Sequence, residues 1–384
     1  MKAHDFAASP SDAQRTSLIR AETASRILLA MRSILIASSL ALLIGPVTGI
    51  TASQTPALSG SANACPTRAV AQVADAVASK FDEHQFVLIH ATHGTAKIDE
   101  FLICLVSRPA FTGRATDIVA EWASYAQQPL LDRYLLTLDM VDGADLIPIW
   151  FDTDTPDMWA TLPTLRQLLA TVRQANTALP MAKRIRLVGG NEGIQWANVQ
   201  RVEDLAAYPF RTNWMEHLLI EHFAKTPGNR TLVVYGDGHI HHDGPNFIAD
   251  AEPVVGRSAL FVIGTVHDLR EDERAWLSRL GDITAPFFID ASSVPDGPWA
   301  PSLRANVNEK SLRLYDYIDG VLYLGPERDR LLTGALPLTA EQQRELARRN
   351  SIKFGNDPQT GGRKRYDGRA QWFRDHPREL PVRP

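Results

Sequence analysis

The run Phe86-Val87-Leu88-Ile89-His90-Ala91-Thr92-His93-Gly94-Thr95 sets the architecture of this chain. Four consecutive apolar residues, Phe86–Ile89, predict a short strand buried on both faces. Beyond the polar turn, Ile98, Phe101, Leu102, Leu105 and Val106 recur at helical spacing and predict a helix over Ala96–Ser107. A buried strand feeding a helix is the opening of a βαβ unit. The alternation continues in both patterns. Asp117–Ala120 predicts a second strand, with a helix near Trp122–Leu136. A helix from Met158 to Asn176, stopped by Pro180, precedes a third strand at Arg184–Val188. A helix over Asn213–Lys225 leads to a fourth strand, Thr231–Tyr235, and Leu260–Ile263 gives a fifth. Pro286–Ile289 and Val321–Leu324 are short apolar runs suited to closing the sheet. The expected fold class is α/β, with a mostly parallel central sheet flanked by helices. Thr339 and Gln342 form a capping-box pattern that opens a helix to about Arg349. From Ser351 the Gly-, Pro- and Arg-rich tail reads as flexible.

The chain has 384 residues, 45% hydrophobic and 22% charged, which is ordinary globular composition with ample length for a large core. A formal net charge of -4 gives no reason to expect nucleic acid as a partner, and a small-molecule or peptide ligand is expected instead. The N-terminal part reads as a leader. Arg26 and Arg32 precede an apolar run, Ile34–Ile44, and Ala62-Asn63-Ala64 offers an Ala-x-Ala site, with Ala52 a second place for cleavage. That pattern describes a secretory signal peptide. The apolar run is shorter than the ~20 residues a span needs, so no membrane span is expected in the mature chain. The organisation that follows is a leader over 1–64, an α/β domain over 65–335, and a C-terminal helix with a basic tail over 336–384. Export to the periplasm or beyond is the expected localisation. The two cysteines, Cys65 and Cys104, can pair in an oxidising compartment. The apolar stripe around Cys104 slightly favours a buried small hydrophobe instead.

The chemistry collects at strand ends. The first strand runs into His90 and His93, the second ends at Glu121, the third at Gly189-Gly190-Asn191-Glu192, and the fourth at Gly236-Asp237-Gly238-His239. Parallel strands bring such groups to one edge, where α/β sheets bind ligands. Histidine titrates near neutrality and serves as general base or metal ligand. His90, His93, Glu121 and His239 would together suit a divalent transition metal. One histidine alone is more often a hydrogen-bonded cap, and Glu121 at a helix start would favour the dipole anyway. The coincidence of four strand ends is what points to a site. His241 and His242 read as solvated or peripheral. No Gly-x-Ser-x-Gly elbow, P-loop or Gly-x-Gly-x-x-Gly is present, and Cys104 is badly placed for a reactive thiolate. A hydrolase here would activate water.

The segment Phe86–Thr95 resembles the opening of the ChaN-like, Tiki-like and erythromycin esterase-like superfamily. Ile118–Glu121 looks like its second strand, Arg211-Thr212-Asn213-Trp214-Met215 like its Arg-x-x-x-Met helix start, and Val233–His239 like its late Gly-x-x-His motif. Closer similarity, to an uncharacterised exported bacterial family of this type, extends to Gln128–Tyr134, Trp150–Thr153 and Val172–Asn176. The likeness covers about residues 80–245. It implies that His93 is the catalytic histidine, that Glu121 and His239 are its partners, and that Arg211 braces the site. The chain departs from the pattern at Ile89-His90, where the family has Gly-Glu, and at Asn191 and Gln195, where close relatives have aspartates. Three functions follow as expectations. The first is a water-activating hydrolase with His93 as base, Glu121 and His239 orienting water or binding metal, and Arg211 stabilising charge. The second is a haem- or metal-binding envelope protein, and the third a non-catalytic scaffold.

Overall fold

The structure, a computed structural model, describes residues 64–91, 95–156, 163–208, 211–226, 228–242, 246–267, 271–281, 284–294, 314–326 and 338–354. The predicted leader and the tail beyond residue 354 lie outside the described residues. The strands are β1 (Phe86–His90), β2 (Asp117–Ser124), β3 (Arg186–Asn191), β4 (Thr231–Tyr235), β5 (Leu260–Val266), β6 (Phe287–Asp290) and β7 (Gly320–Tyr323). They form one sheet in the order β3-β2-β4-β1-β5-β7-β6. Every pairing is parallel except that of β6 with β7. The α/β class with a mostly parallel sheet is therefore as expected.

The principal helices are α1 (Arg68–Ser79), α2 (Ala96–Ser107), α3 (Gln128–Asp132), α4 (Pro163–Thr177), α5 (Arg211–His217), α6 (Phe247–Val255), α7 (Glu271–Ser278) and α8 (Ala340–Phe354). Both faces of the sheet are covered. Helices α1, α2 and α4 pack with Val87, Ile89, Ile118, Leu187 and Leu232. Helices α5, α6 and α7 pack with Phe86, Leu88, Val119, Val188, Val233 and Val262. Alternate residues of β1 thus serve opposite layers, which is why its sequence is apolar without a break. Each such side chain contributes roughly 1.5–3 kcal/mol on burial.

Two features of this topology place the site. Strands β4 and β1 are neighbours, with His90 level with Tyr235. The chain leaves β1 through α2 in one layer and leaves β4 toward α6 in the other. Helices that follow neighbouring strands thus lie on opposite faces, and open α/β sheets hold ligands beyond the carboxyl ends of strands where this happens. The second feature is a bulge. Ala120 pairs with Gly189 but Ser124 pairs with Asn191, so β2 carries two residues more than β3 across this interval. A bulge bends its strand and redirects a side chain. Glu121 sits in it.

The structure corrects several expectations. Trp122–Ser124 continue β2 rather than starting a helix, because the bulged strand is buried through Ser124. Helix begins only at Gln128 and runs on as a π-helical turn, Arg133–Thr137, closed by Leu138 in the left-handed region at φ 61°. Glu121 is accordingly a strand residue, not a helix N-terminal one. The Thr339–Gln342 capping box is present, with Thr339 N–H donating to Gln342 Oε1 at 2.9 Å and Gln342 N–H to Thr339 Oγ1 at 3.1 Å. Helix α8 runs past Arg349 to Phe354, so Ser351–Phe354 are helical rather than tail. Cys65 and Cys104 form a disulfide, and Cys104 is also fully buried. No helix among the described residues is long and apolar enough to cross a membrane.

Candidate functional site

Strand β2 delivers Glu121 to the carboxyl edge of the sheet as a buried carboxylate, 1% exposed. Its Oε2 accepts from the Gly236 N–H at 2.7 Å, which ties it across to the end of β4. Its Oε1 lies 3.8 Å from His239 Nε2, and the His239 side chain is 25% exposed. That separation is too long for a direct hydrogen bond. His239 ends a short turn, Asp237–His239, and its ring stands edge-on to Tyr235 at 5.9 Å. One member of the pair is buried and the other reaches solvent, an arrangement suited to proton transfer at the edge of the sheet.

The glycines of β3 make room for this. A Cβ on Gly189 would lie 2.5 Å from the Tyr125 nitrogen and one on Gly190 2.8 Å from the Ala120 oxygen. The bulged β2 folds directly over them, so only glycine fits at either position. Their carbonyls are held from the other layer. Trp214 Nε1–H donates to Gly189 O at 2.9 Å, and the Tyr235 hydroxyl donates to Gly190 O. Trp214 belongs to α5, which therefore docks its opening turn against β3.

Of the residues singled out in sequence, the structure brings Glu121 and His239 together. His90 is buried at the end of β1, and its Nε2–H donates to the Ile240 carbonyl. Its own carbonyl accepts from Thr265 Oγ1 at 3.0 Å, so it braces the loops on both sides of β1. Arg211 opens α5, and its side chain lies outside what is described. His93 lies outside the described residues.

A metal ion held by the protein alone needs donors that converge. Among the described residues no three His, Cys, Asp or Glu side chains do so. His90 Nε2 serves Ile240 and Glu121 Oε2 serves Gly236, so the described part of the set His90, His93, Glu121 and His239 does not fit a metal.

The two amide positions have different fates. Asn191 is buried, with Oδ1 accepting from Asp154 N–H at 3.0 Å and Nδ2 donating to Asp154 Oδ1 at 3.2 Å. Gln195 is exposed and lines a groove of about 590 Å³ with Gln127, Asp152, Trp196, Glu345 and Arg348. Its charged groups satisfy one another. Arg348 and Arg349 both donate to Glu345, at 2.6–2.7 Å, and Arg349 donates to Asp152 at 2.9 Å. The Arg348 hydrogen bond, opposed by burial and joined by Arg349, holds the Glu345 carboxyl down at about 2. Helix α8, expected to stand outside the α/β domain, is thus one wall of this groove.

Sequence reasoning missed the burial of His241 and His242, which were expected at the periphery. His241 is 2% exposed and stacks on Tyr317 at 4.5 Å. The His242 side chain is 2% exposed between two carboxylates. The acidic partners of His242, Glu252 and Asp319, stand 10 and 77 residues away, so no local pattern marks them. Other polar residues in the resembling segments are structural. Gln128 donates to Asp132 and to the Leu187 carbonyl, and Asp132 pairs with buried Arg186 at 2.6 Å. Asn176 donates to the Leu135 and Ile185 carbonyls.

No family model matches the chain, and no curated protein matches it. Among solved structures, a crystal structure of a Bacillus cereus protein is similar at 13% identity and a TM-score of 0.42, covering 68% of this chain and 93% of that one. The type III effector HopBA1 is similar at 12% identity and a TM-score of 0.33, covering 66% and 92%. Likenesses this weak carry no argument about fold family or activity.

Proposed function

We propose that this chain is an exported, water-activating hydrolase of the ChaN-like and erythromycin esterase-like type. The observation that carries the reading is the buried Glu121 carboxylate facing the part-exposed His239 imidazole at the carboxyl ends of β2 and β4. Glu121 is fixed by the Gly236 N–H, and so presents one oxygen in a set direction toward His239. In the proposed reaction a water held at this pair attacks the acyl carbon of an ester or amide. His93 takes the water proton and returns it to the leaving group, while Glu121 and His239 orient the water. Arg211, at the start of α5, stabilises the charge that develops on the acyl oxygen. The Cys65–Cys104 disulfide supports export, since such bonds persist in oxidising compartments.

A panel of chromogenic acyl esters and amides tests the reading. Glu121→Gln and His239→Ala are expected to lower kcat/KM by about 100-fold or more, the range for lost acid–base groups. His93→Ala is expected to abolish turnover with thermal unfolding unchanged. Wild-type rates in all three variants would refute the mechanism.

A further inference from the structure

The loop that carries His239 is fastened just beyond it by a cluster that the hydrolytic reading does not use. His242 Nδ1–H donates to Glu252 Oε2 on α6 at 2.5 Å, and its Nε2–H donates to Asp319 Oδ2, next to β7, at 2.8 Å. Both ring nitrogens can donate only when each carries a proton. Arg257 closes the cluster. Its Nη2 donates to Asp319 Oδ1 at 2.7 Å and to the Tyr315 carbonyl at 3.0 Å, and its Nη1 lies 3.6 Å from Glu252. The Val262 N–H of β5 donates to Asp319 Oδ2 at 2.7 Å. Two carboxylates therefore face one imidazole ring and one guanidinium. Burial pushes the Asp319 carboxyl up, but the His242 hydrogen bond and charge, the Val262 N–H and Arg257 outweigh it and hold it below the ordinary carboxylate range.

The three residues after His239 are each tied to a different element. The Ile240 carbonyl accepts from His90 at the end of β1. His241 accepts from Asn246, the cap of α6, at 3.1 Å. The His242 backbone N–H donates to the Tyr317 carbonyl at 3.0 Å, and its ring bridges α6 to the approach to β7. The turn that holds His239 is only three residues long, with His239 N–H bonded to Gly236 O at 3.0 Å. Its far end is set by these ties.

We propose that His242 is a positioning residue for the His239–Glu121 pair. Its ring, bridging Glu252 and Asp319, fixes the far end of the loop and so the place of His239. The proposal rests on the reading of His239 as a working group of the site.

The test is ring 15N–1H NMR on the full chain with 15N-labelled histidine and no substrate. Wild-type protein is expected to show two slowly exchanging ring N–H signals for His242. His242→Gln and Glu252→Ala are each expected to shift the His239 ring resonances. A Cys65→Ser/Cys104→Ser variant, which loses stability far from the loop, is expected to leave them in place. Unmoved His239 signals in folded Glu252→Ala, or a single ring N–H on His242, would overturn the proposal. If His242→Gln does not fold, Glu252→Ala decides alone, since that carboxylate is 27% exposed on α6. The readout needs no turnover, so a failure to find hydrolysis sinks the hydrolase reading without deciding this one. Where hydrolysis is found, Glu252→Ala is expected to lower kcat by about tenfold with KM nearly kept, as for a misplaced reacting group.

Discussion

Gly189 and Gly190 lie where two strands of unequal length must share one ladder. A methyl group on Gly189 would meet the Tyr125 nitrogen at 2.5 Å and its Cα at 2.6 Å, both backbone atoms with nowhere to move. Gly189→Ala is expected to cost about 1–3 kcal/mol, as overpacking does. Urea unfolding of the two proteins measures it, and an unchanged midpoint would mean that β2 does not fold over β3. The polar residue ending each apolar run was readable from the chain, which is how Glu121 and His239 were found. The bulge that aims Glu121 was not, because it arises from a mismatch between segments some seventy positions apart. His242 was misread for a related reason. A histidine in a His-rich loop looks solvated until Glu252 and Asp319 arrive from other elements.

Among the elements, α8 shows how a terminal helix becomes part of a domain. Arg349 donates to the Phe151 carbonyl at 2.6 Å and lies 4.5 Å from the Phe151 ring and 5.0 Å from that of Trp196. Lys353 donates to the Asp154 carbonyl. Arg348 donates to the Val199 and Trp196 carbonyls at 2.7 and 2.9 Å. Glu345 organises both arginines, and its folded value of about 2 lies below the ordinary 4.5. A depressed carboxylate adds stability that is present above its unfolded value and lost as pH falls toward the folded one. Wild-type and Glu345→Gln proteins are therefore expected to differ in urea midpoint above about pH 4.5 and to converge toward pH 2. Parallel curves across that interval would show that Glu345 does not hold the helix. The capping box announced where α8 starts, the Thr231–Tyr235 strand was legible to the residue, and a helix near Ala96–Ser107 was legible from its apolar spacing. Where α8 ends was not, since its last turn is held by carbonyls of Phe151 and Asp154 rather than by its own sequence.

Over the whole molecule, the Cys65–Cys104 bond ties the entry to α1 to the middle of α2 across a separation of 39 residues. Closing a loop of that size restricts the unfolded chain by about 4 kcal/mol in the chain-entropy account. The Cys65→Ser/Cys104→Ser protein is expected to unfold at lower urea by that amount, and reducing agent is expected to do the same to wild type. A loss near zero would show that the pairing contributes nothing to folding. The fold class was readable because strands and helices alternate. The strand order was not, because periodicity does not say which strands become neighbours.

That order also dictates when the site can exist. The segment Thr231–Tyr235 comes fourth along the chain yet lies between β2 and β1, which precede it. Until it is threaded into the gap, the acid on the second strand has no neighbour on either the Gly236 or the imidazole side. Assembly of the Glu121–His239 pair consequently depends on long-range strand pairing, which closes slowly. A nascent chain still short of residue 231 holds Glu121 without the strand that brings His239 to it.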